Sequence, residues 1–245
     1  MNENKVWSHG GSAGDILYHL TPMKDIWRGD GTKSELYINR NCNEKWRMPV
    51  DKTRSLLTLI DAQPYIAKTG IRDDYIGIDL DNLFRHPWLN GMNLSDIVHT
   101  RLKMEHTSRE DPWLFNVEPN RVARVVIHRS PRYHVKDFPW QKVLQKYGAD
   151  IIFVGHWSEH AAFVQAFGPV AFYHTKTYMD LARVIQGAVL FVGNQSSPAA
   201  VAQGLRQNMV QETVERWGPD GWAWNCHWSR KGFWDNGRTL PEIDT

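Results

Sequence analysis

The segment Val189-Leu-Phe-Val-Gly-Asn-Gln-Ser-Ser-Pro-Ala-Ala-Val-Ala-Gln-Gly-Leu205 decides the fold. Its apolar run Val189–Val192 ends at a glycine, and polar residues and a proline then precede a run of small residues. This order predicts a strand, a tight turn and a helix, with Ser197 as N-cap and Pro198 as the first helical residue. The free amides of the first helical turn would face outward beyond the strand, where they could bind an anion. The alternative is an ordinary connection without a ligand.

The second half of the chain shows the same strand-to-helix pattern three times before this segment. The strand patterns lie at 122–128, 151–155 and 170–173, and the helix patterns at 140–147, 158–167 and 178–186. Four consecutive βα units predict a parallel, doubly wound sheet whose ligand lies outside the carboxyl ends of the strands. Arginines, a serine pair and a helix N-terminus converge there, which suits a phosphate-bearing ligand. The residues expected at this edge are Arg129, Ser130, Arg132, Gly155–Glu159, His174–Thr177 and Asn194–Ser197.

The first half begins with a strand pattern, Lys5–His9, that runs into the glycine-rich loop Gly10–Asp15. The apolar residues that follow, up to Trp27, predict a helix that Pro22 kinks or delays. The loop lacks the lysine of a P-loop and the full dinucleotide fingerprint, but its glycines let a ligand approach the backbone, and Asp15 projects into the same space. The alternative for Asp15 is a helix cap. Further strand patterns lie at 35–39 and 75–79, and further helix patterns at 55–60 and 93–104.

A charged, proline-containing stretch at 105–119 predicts a linker between two domains. We therefore expect an N-terminal Rossmann-like domain at 1–118 and a C-terminal one at 119–215. Residues 216–245 should pack back across the body. This last segment holds five tryptophans, for which core packing and a stacking surface for an acceptor are the two interpretations. They are Trp217, Trp222, Trp224, Trp228 and Trp234.

The overall composition excludes several classes of protein. A chain of 245 residues allows one large domain or two small ones. The formal net charge of +2 is too weak to imply nucleic acid as a partner. The two cysteines, Cys42 and Cys226, have no zinc-type spacing, so we expect a reducing cytoplasm. The polar first residues contain no signal peptide, and no apolar run is long enough to span a membrane.

Two short motifs suggest metal sites, and we expect neither to hold a metal. His156-Trp-Ser-Glu-His160 matches an inverted zinc-protease pattern. That chemistry needs both histidines on one helical face and a third ligand, whereas His156 directly follows a strand and Gly155 and should lie in the turn. Asp79-Leu-Asp81 matches a pattern with which some glycosyltransferases hold a divalent metal, but alternating carboxylates at a strand end are common by chance.

With these residues laid out, the chain resembles glycosyltransferase family 9, the heptosyltransferase-like enzymes, which have the GT-B fold. Gly14-Asp-Ile-Leu-Tyr-His-Leu-Thr-Pro22 is similar to the N-terminal signature of the family, and Leu190–Pro198 with Ala202 is similar to its donor-site turn. The resemblance covers most of the chain. Features in the expected order between and beyond these segments are Gln63–Ile66, Asp79–Arg85, Arg129–Tyr133, Phe138–Trp140, Phe153–Gly155, Glu159 and Gln211–Glu212.

The resemblance implies two Rossmann-like domains with a cleft between them, the N-terminal one reduced. It also implies inverting transfer from a nucleotide-sugar donor, without a metal or another cofactor. Asp15 would be the general base. Helix-terminal amides, with Arg129 or Arg132, would stabilise the leaving diphosphate, and two glutamates would accept hydrogen bonds from donor hydroxyls. The expected donor-binding residues are Gly11, Gly14, Arg129, Ser130, Arg132, Gly155, Glu159, Asn194, Gln195, Ser196, Ser197 and Glu212.

This sequence departs from the family in its donor turn. Heptosyltransferases usually carry an acidic residue and a histidine there, whereas this chain has Gln195-Ser196-Ser197 and Ala200. This disfavours ADP-heptose as donor, and the short N-terminal domain disfavours a lipopolysaccharide-core acceptor. A saccharide or lipid-linked saccharide is the favoured acceptor. The alternatives are a non-catalytic nucleotide-sugar binding protein and a phage-type glycosyltransferase acting on a hydroxymethylated DNA base.

Overall fold

The computed structural model describes residues 3–42, 47–84, 94–105 and 111–212, which form two parallel sheets with their connecting helices. The strands of the first sheet are β1 (Lys5–His9), β2 (Ser34–Asn39), β3 (Ile66–Arg72) and β4 (Ile78–Asp79), in the spatial order β3-β2-β1-β4. The helices of this half are α1 (Ala13–Tyr18), α2 (Thr21–Asp30), α3 (Val50–Ile60), α4 (Leu80–Phe84) and α5 (Leu94–Leu102).

The second sheet has the spatial order β7-β6-β5-β8-β9, and all of its pairs are parallel. Its strands are β5 (Val125–His128), β6 (Ile151–Phe153), β7 (Ala171–Phe172), β8 (Leu190–Asn194) and β9 (Met209–Glu212). Its helices are α6 (Trp140–Tyr147), α7 (Trp157–Phe167), α8 (Tyr178–Gly187) and α9 (Ser197–Gly204). The predicted parallel, doubly wound sheet is confirmed.

The central strands β5 and β8 are buried along their whole length, because helices cover both faces of a parallel sheet. Val125 pairs with Ile151 on one side and with Leu190 on the other, so the apolar runs recognised in the sequence lie side by side. The residues that follow these strands therefore emerge at one edge of the sheet, as predicted.

Several local predictions need correction. The single helix expected up to Trp27 is two helices: the chain leaves α1 after Tyr18, and Pro22 lies in the first turn of α2, which agrees with the delay expected of this proline. The N-cap of α9 is Ser196 rather than Ser197, which is the first helical residue. The strand expected at 75–79 is reduced to the two residues of β4.

Two of the edge strands, β3 and β9, are absent from the predictions. β3 reads Ile-Ala-Lys-Thr-Gly-Ile-Arg and is mostly exposed or half-buried, so it lacks the continuous apolar run of a central strand. β9 follows α9 after a short turn and contains two polar residues that are nevertheless buried.

The two halves share one apolar core. A single cluster of buried side chains includes Trp7 and Leu17 from the first half and Val126, Phe191 and Ala200 from the second. Helix α1 packs against α9, and α3 packs against α8. The two sheets are therefore held together by burial of apolar surface as well as by the chain that connects them.

The described part of the predicted linker, residues 111–119, is docked rather than loose. Trp113 is 2% exposed, and its Nε1 donates to the Leu17 carbonyl of α1 at 2.9 Å. The backbone nitrogens of Trp113 and Leu114 both donate to the Gly204 carbonyl at the end of α9, at 3.0 Å. A methyl group added at Gly204 would lie 2.6 Å from the Leu114 side chain, so the connection presses closely on this helix end. Trp113 therefore hydrogen-bonds to α1 of the first half and to α9 of the second half.

Helices α3 and α8 meet through hydrogen bonds at the N-terminus of α8. Thr177 is the N-cap, and its hydroxyl accepts from the backbone nitrogen of Asp180 at 3.1 Å. The next two free amides, those of Tyr178 and Met179, donate to the hydroxyls of Ser55 and Thr58 on α3, at 3.1 and 3.3 Å. Side chains of one half thus satisfy amides at a helix end of the other half.

The tryptophan-rich segment 216–245 and Cys226 lie outside the described residues, and its packing across the body stays a prediction. The same holds for the end of the C-terminal domain at residue 215 and for Arg85. In the described ranges, none of the helices combines the length and apolar character needed to cross a bilayer.

Replacing Trp113 with phenylalanine should lower the free energy of unfolding by about 1–2 kcal/mol, because the Leu17 carbonyl loses a donor and the buried site is underfilled. Urea unfolding measures the change. Trp157→Phe is the matched control, since Trp157 is 66% exposed and should change little. Equal losses in the two variants would contradict the bridging role of Trp113.

Candidate functional site

The glycine-rich loop of the first half and the serine turn of the second half lie against each other. A methyl group added at Gly14 would lie 3.7 Å from both the backbone nitrogen and the Cα of Ser197. Gly14 is in the first turn of α1 and Ser197 in the first turn of α9, so the N-termini of two helices from different halves adjoin. The structure thus brings together the two segments that the sequence singled out.

Asp15 lies half-buried in the first turn of α1. The Ser12 hydroxyl donates to its Oδ2 at 2.9 Å, and the Ser12 backbone also hydrogen-bonds to it. Burial raises the pKa of Asp15, whereas His9, Ser12 and Arg132 act in the opposite direction. Asp15 therefore caps its own helix and is also a stronger base than an exposed aspartate.

A buried polar layer lies directly behind the loop. His9, at the end of β1, has its Nδ1 3.0 Å from Asp81 Oδ1, and the Gly10 backbone nitrogen donates to Asp81 Oδ2 at 2.7 Å. Burial by itself would raise the pKa of Asp81. The hydrogen bonds from His9, Tyr75 and Gly10, with the charge of His9, instead hold the pKa of Asp81 well below its usual range. Asp81 is thus an anion that anchors the loop.

The side chains of the two motifs that resemble metal sites, Asp79–Asp81 and His156–His160, make contacts within the chain. Asp79 Oδ1 accepts from the Asn82 backbone nitrogen at 3.1 Å, as a helix cap, while Asp81 faces the loop. His156 is the N-cap of α7, as predicted, and His160 Nε2 lies 2.8 Å from the Val170 carbonyl. Among the described residues, no group of three or more His, Cys, Asp and Glu side chains is placed to hold a metal ion.

Arg129 and Glu212, both predicted to contact the donor, form a largely buried ion pair with each other. Glu212 is 0% exposed and accepts from Arg129 Nε at 2.8 Å and from Arg129 Nη2 at 2.7 Å. It also accepts from the Val135 backbone nitrogen at 2.7 Å and from Trp140 Nε1 at 3.2 Å. With both oxygens engaged, Glu212 holds the loop after β5, and Arg129 neutralises its charge. Contact of either residue with a donor stays a prediction.

Asn194 and Ser130 shape the same loop. Asn194 is fully buried, its Oδ1 accepts from the Ser130 backbone nitrogen at 2.9 Å, and its Nδ2 donates to the Ser130 carbonyl at 3.0 Å and to the Arg132 carbonyl. These bonds tie the end of β8 to the loop after β5. The Asn194 side chain therefore holds the turn from its buried side, and contact of Asn194 or Ser130 with a donor stays a prediction.

The serine turn itself stays half-exposed at Gln195, Ser196 and Ser197. The Ser196 hydroxyl donates to the Asn194 carbonyl at 3.0 Å, and the Ser197 hydroxyl lies 2.8 Å from the Tyr178 hydroxyl. Neither serine side chain caps α9, so the turn offers its backbone amides rather than hydroxyls to a ligand.

Gly155 and Glu159 close the other side of the site. Gly155 has a φ of +133°, and a methyl group there would lie 2.7 Å from both Glu159 Oε2 and His128 Nδ1. Only glycine fits this position. Glu159 caps α7 by accepting from the His156 backbone nitrogen at 2.8 Å, and its Oε2 lies 4.0 Å from His128 Nδ1. Glu159 is half-buried and remains a predicted contact for a donor hydroxyl.

Lys52 on α3 belongs to this site, although nothing in its sequence context marks it. Burial lowers the pKa of Lys52, while the charge of Glu159 raises it and that of Arg132 lowers it. The same lysine also influences His128 at the end of β5. A cation from the first half therefore reaches the carboxyl edge of the second sheet, an arrangement that depends on the packing of α3 against α8.

Comparison with known proteins finds similarity in structure alone. No family model and no curated protein matches the chain. Among solved structures it resembles E. coli heptosyltransferase WaaC with ADP, at 13% identity and a TM-score of 0.56 over 88% of each chain. The fold is GT-B-like. This confirms the predicted fold class and, at the level of the fold, the resemblance to glycosyltransferase family 9.

Two further structures support the GT-B-like fold. A glycosyl transferase of family 9 from Veillonella parvula has 12% identity and a TM-score of 0.59, over 85% of this chain and 79% of that one. E. coli WaaC with ADP-2-deoxy-2-fluoro heptose has 14% identity and a TM-score of 0.52, over 88% and 89%. The similarity extends through both halves of the chain.

Replacing Glu212 with glutamine should destabilise the protein by about 3–5 kcal/mol, because it leaves the largely buried Arg129 charge without its anion. Urea unfolding tests this. Asp74→Asn is the control, since its ion pair with Arg72 is exposed and should matter little. A Glu212→Gln protein as stable as wild type would show that this ion pair does not organise the loop.

Proposed function

We propose that the protein is an inverting, metal-independent glycosyltransferase that moves a sugar from a nucleotide-sugar donor to an acceptor hydroxyl. The observation that carries this proposal is the contact between the first turns of α1 and α9, which places Asp15 beside a helix N-terminus. In such a transfer, a base takes the proton of the acceptor hydroxyl while the diphosphate leaves with increased negative charge. The two requirements would be met on adjoining helix ends.

The positive charge for the diphosphate would come from the chain itself. The amides of the first turn of α9 and its dipole attract an anion, and Arg132 lies on the loop beside it. The charge of Arg132 lowers the pKa of both Asp15 and Lys52, so the two cations and the carboxylate lie in one region. Arg129 is paired with Glu212. This arrangement supports a mechanism that needs no divalent ion at the leaving group.

The structural neighbours support a diphosphate-linked donor. They include WaaC with ADP and WaaC with ADP-2-deoxy-2-fluoro heptose. The turn of the present chain has Gln195 and Ser197 where the family usually has an acidic residue and a glycine, and Ala200 in place of a histidine. We therefore expect a nucleotide-sugar other than ADP-heptose, and a saccharide or lipid-linked saccharide as acceptor.

One observation favours a second candidate, a non-catalytic nucleotide-sugar binding protein. Asp15 has a structural task as the cap of α1, so its presence does not by itself require catalysis. Donor binding is common to both candidates, whereas turnover that depends on Asp15 belongs only to the enzyme.

A donor should raise the melting temperature in a thermal-shift panel of UDP-, GDP-, ADP-, TDP- and CMP-sugars with their free nucleotides. A ligand at one hundred times its Kd stabilises a protein by about 2.7 kcal/mol. Arg132→Ala should weaken binding about tenfold, because a charge-assisted hydrogen bond is lost. Arg121→Ala is the control, since Arg121 lies before β5, at the opposite end of the sheet. No response to any member of the panel would defeat the proposal.

Asp15→Asn should reduce sugar transfer by roughly a hundredfold or more, with donor affinity little changed, because it removes the base and keeps the shape. Release of the nucleoside diphosphate, with candidate saccharide acceptors present, measures transfer. Asp180→Asn is the matched control, since Asp180 accepts from the N-cap backbone of α8 from the equivalent position but belongs to a different helix. If the Asp15 variant keeps more than about a tenth of wild-type turnover, another group is the base.

A further inference from the structure

Two histidines are stacked beneath the glycine-rich loop. His9 and His19 are both 0% exposed, and their ring centroids lie 4.9 Å apart. His9 Nε2 lies 2.8 Å from His19 Nδ1. The proposed transfer reaction has so far given these residues no role, although buried histidines at the base of a candidate site are poised to influence its charge.

The Nδ1 atom of His9 has two competing neighbours. The Gly11 backbone nitrogen lies 2.9 Å away and can only donate to it, whereas Asp81 Oδ1 lies 3.0 Å away and can only accept from it. A neutral ring with a bare Nδ1 therefore bonds to Gly11, and a ring that carries a proton there bonds to Asp81. Protonation of His9 Nδ1 thus determines whether the ring bonds to the Gly11 backbone or to Asp81.

The ring is also a close neighbour of the Asp15 carboxylate. A methyl group added at Gly11 would lie 2.6 Å from His9 Cε1 and 3.5 Å from Asp15 Oδ2, so the two side chains flank the same glycine. The charged and titratable groups that face His9 are Asp15 on α1, His19 after α1 and Asp81 on α4. Those that act on Asp15 are His9 and, from the second half, Arg132, beside its hydrogen bond to Ser12.

We propose that His9, held by Asp81, is a positioning residue for Asp15: its ring supports the glycine-rich loop, and its protonated form keeps the neighbouring carboxylate ionised. Burial raises the pKa of Asp15, and the positive charge of His9 is the largest of the effects that oppose it. A general base must be ionised before it can accept a proton. The catalytic meaning rests on the proposed transferase function, but the charge coupling can be measured without turnover.

The test follows the Asp15 carboxyl carbon by ¹³C NMR as a function of pH, with Asp15→Asn providing the assignment. In His9→Gln, the titration midpoint of Asp15 should move to higher pH by about one unit, because a nearby opposite charge is lost. Asp81→Asn should move it in the same direction, since the protonated ring loses its acceptor. His99→Gln is the matched control: His99 is a buried histidine of the same half, 2.9 Å from Asp25, and should leave the midpoint unchanged.

An unchanged Asp15 midpoint in both folded variants would overturn the proposal. If neither variant folds, the ¹⁵N shifts of His9 in the wild-type protein decide: both ring nitrogens should carry protons where Asp15 is ionised, and a neutral ring in either tautomer would overturn the coupling. Once a donor is known, the acid limb of the transfer rate should move to higher pH in His9→Gln. A merely structural histidine would lower the rate equally at every pH. Failure to find any transfer would count against the function and leave the NMR result standing.

Discussion

The close approach of Gly14 to the first turn of α9 is the constraint on which the site depends. Two helix N-termini with similar dipoles would not be expected to adjoin without compensation, since their positive ends repel. Here Asp15, the residue after Gly14, supplies a negative charge in the first turn of α1. The same carboxylate thus relieves the repulsion in the empty protein and is the proposed base when a donor is bound.

Most buried polar side chains around the site hold backbone in place. Asn194 joins two loops, and Glu212 with Arg129 fixes the segment after β5. Such fully satisfied networks make loops rigid, because breaking one bond leaves a buried group without a partner. The groups that these networks do not use, and that the proposed function assigns to a ligand, are fewer. They are the backbone amides of the first turn of α9, the half-exposed Asp15 carboxylate, and the cations Lys52 and Arg132. A preorganised site needs this division between supporting and contacting groups.

The sequence predicted the βα units and the parallel, doubly wound sheet of the second half, because parallel strands read as apolar runs and each run ends in recognisable turn residues. It also identified Gly14, Asp15 and the serine turn, whose residue types are unusual at a strand end. It missed β3, which lacks the apolar run of a covered strand. It did not predict that Arg129 and Glu212 pair with each other, because residue type shows charge but not the partner, which here is 83 residues away. Lys52 and the pairing of His9 with Asp81 were missed for the same reason: Lys52 meets its charged neighbours only when the halves pack, and His9 meets Asp81 only when α4 folds against β1.

The bonds from Ser55 and Thr58 to the amides of Tyr178 and Met179 have a consequence for motion. These two amides gain their protection from the opposite half of the molecule, while the rest of α8 is protected by its own helix. Their hydrogen-exchange rates consequently report separation of the halves independently of helix unfolding. Exchange at these two backbone amides would therefore measure how often the two halves separate, without a label attached to the protein.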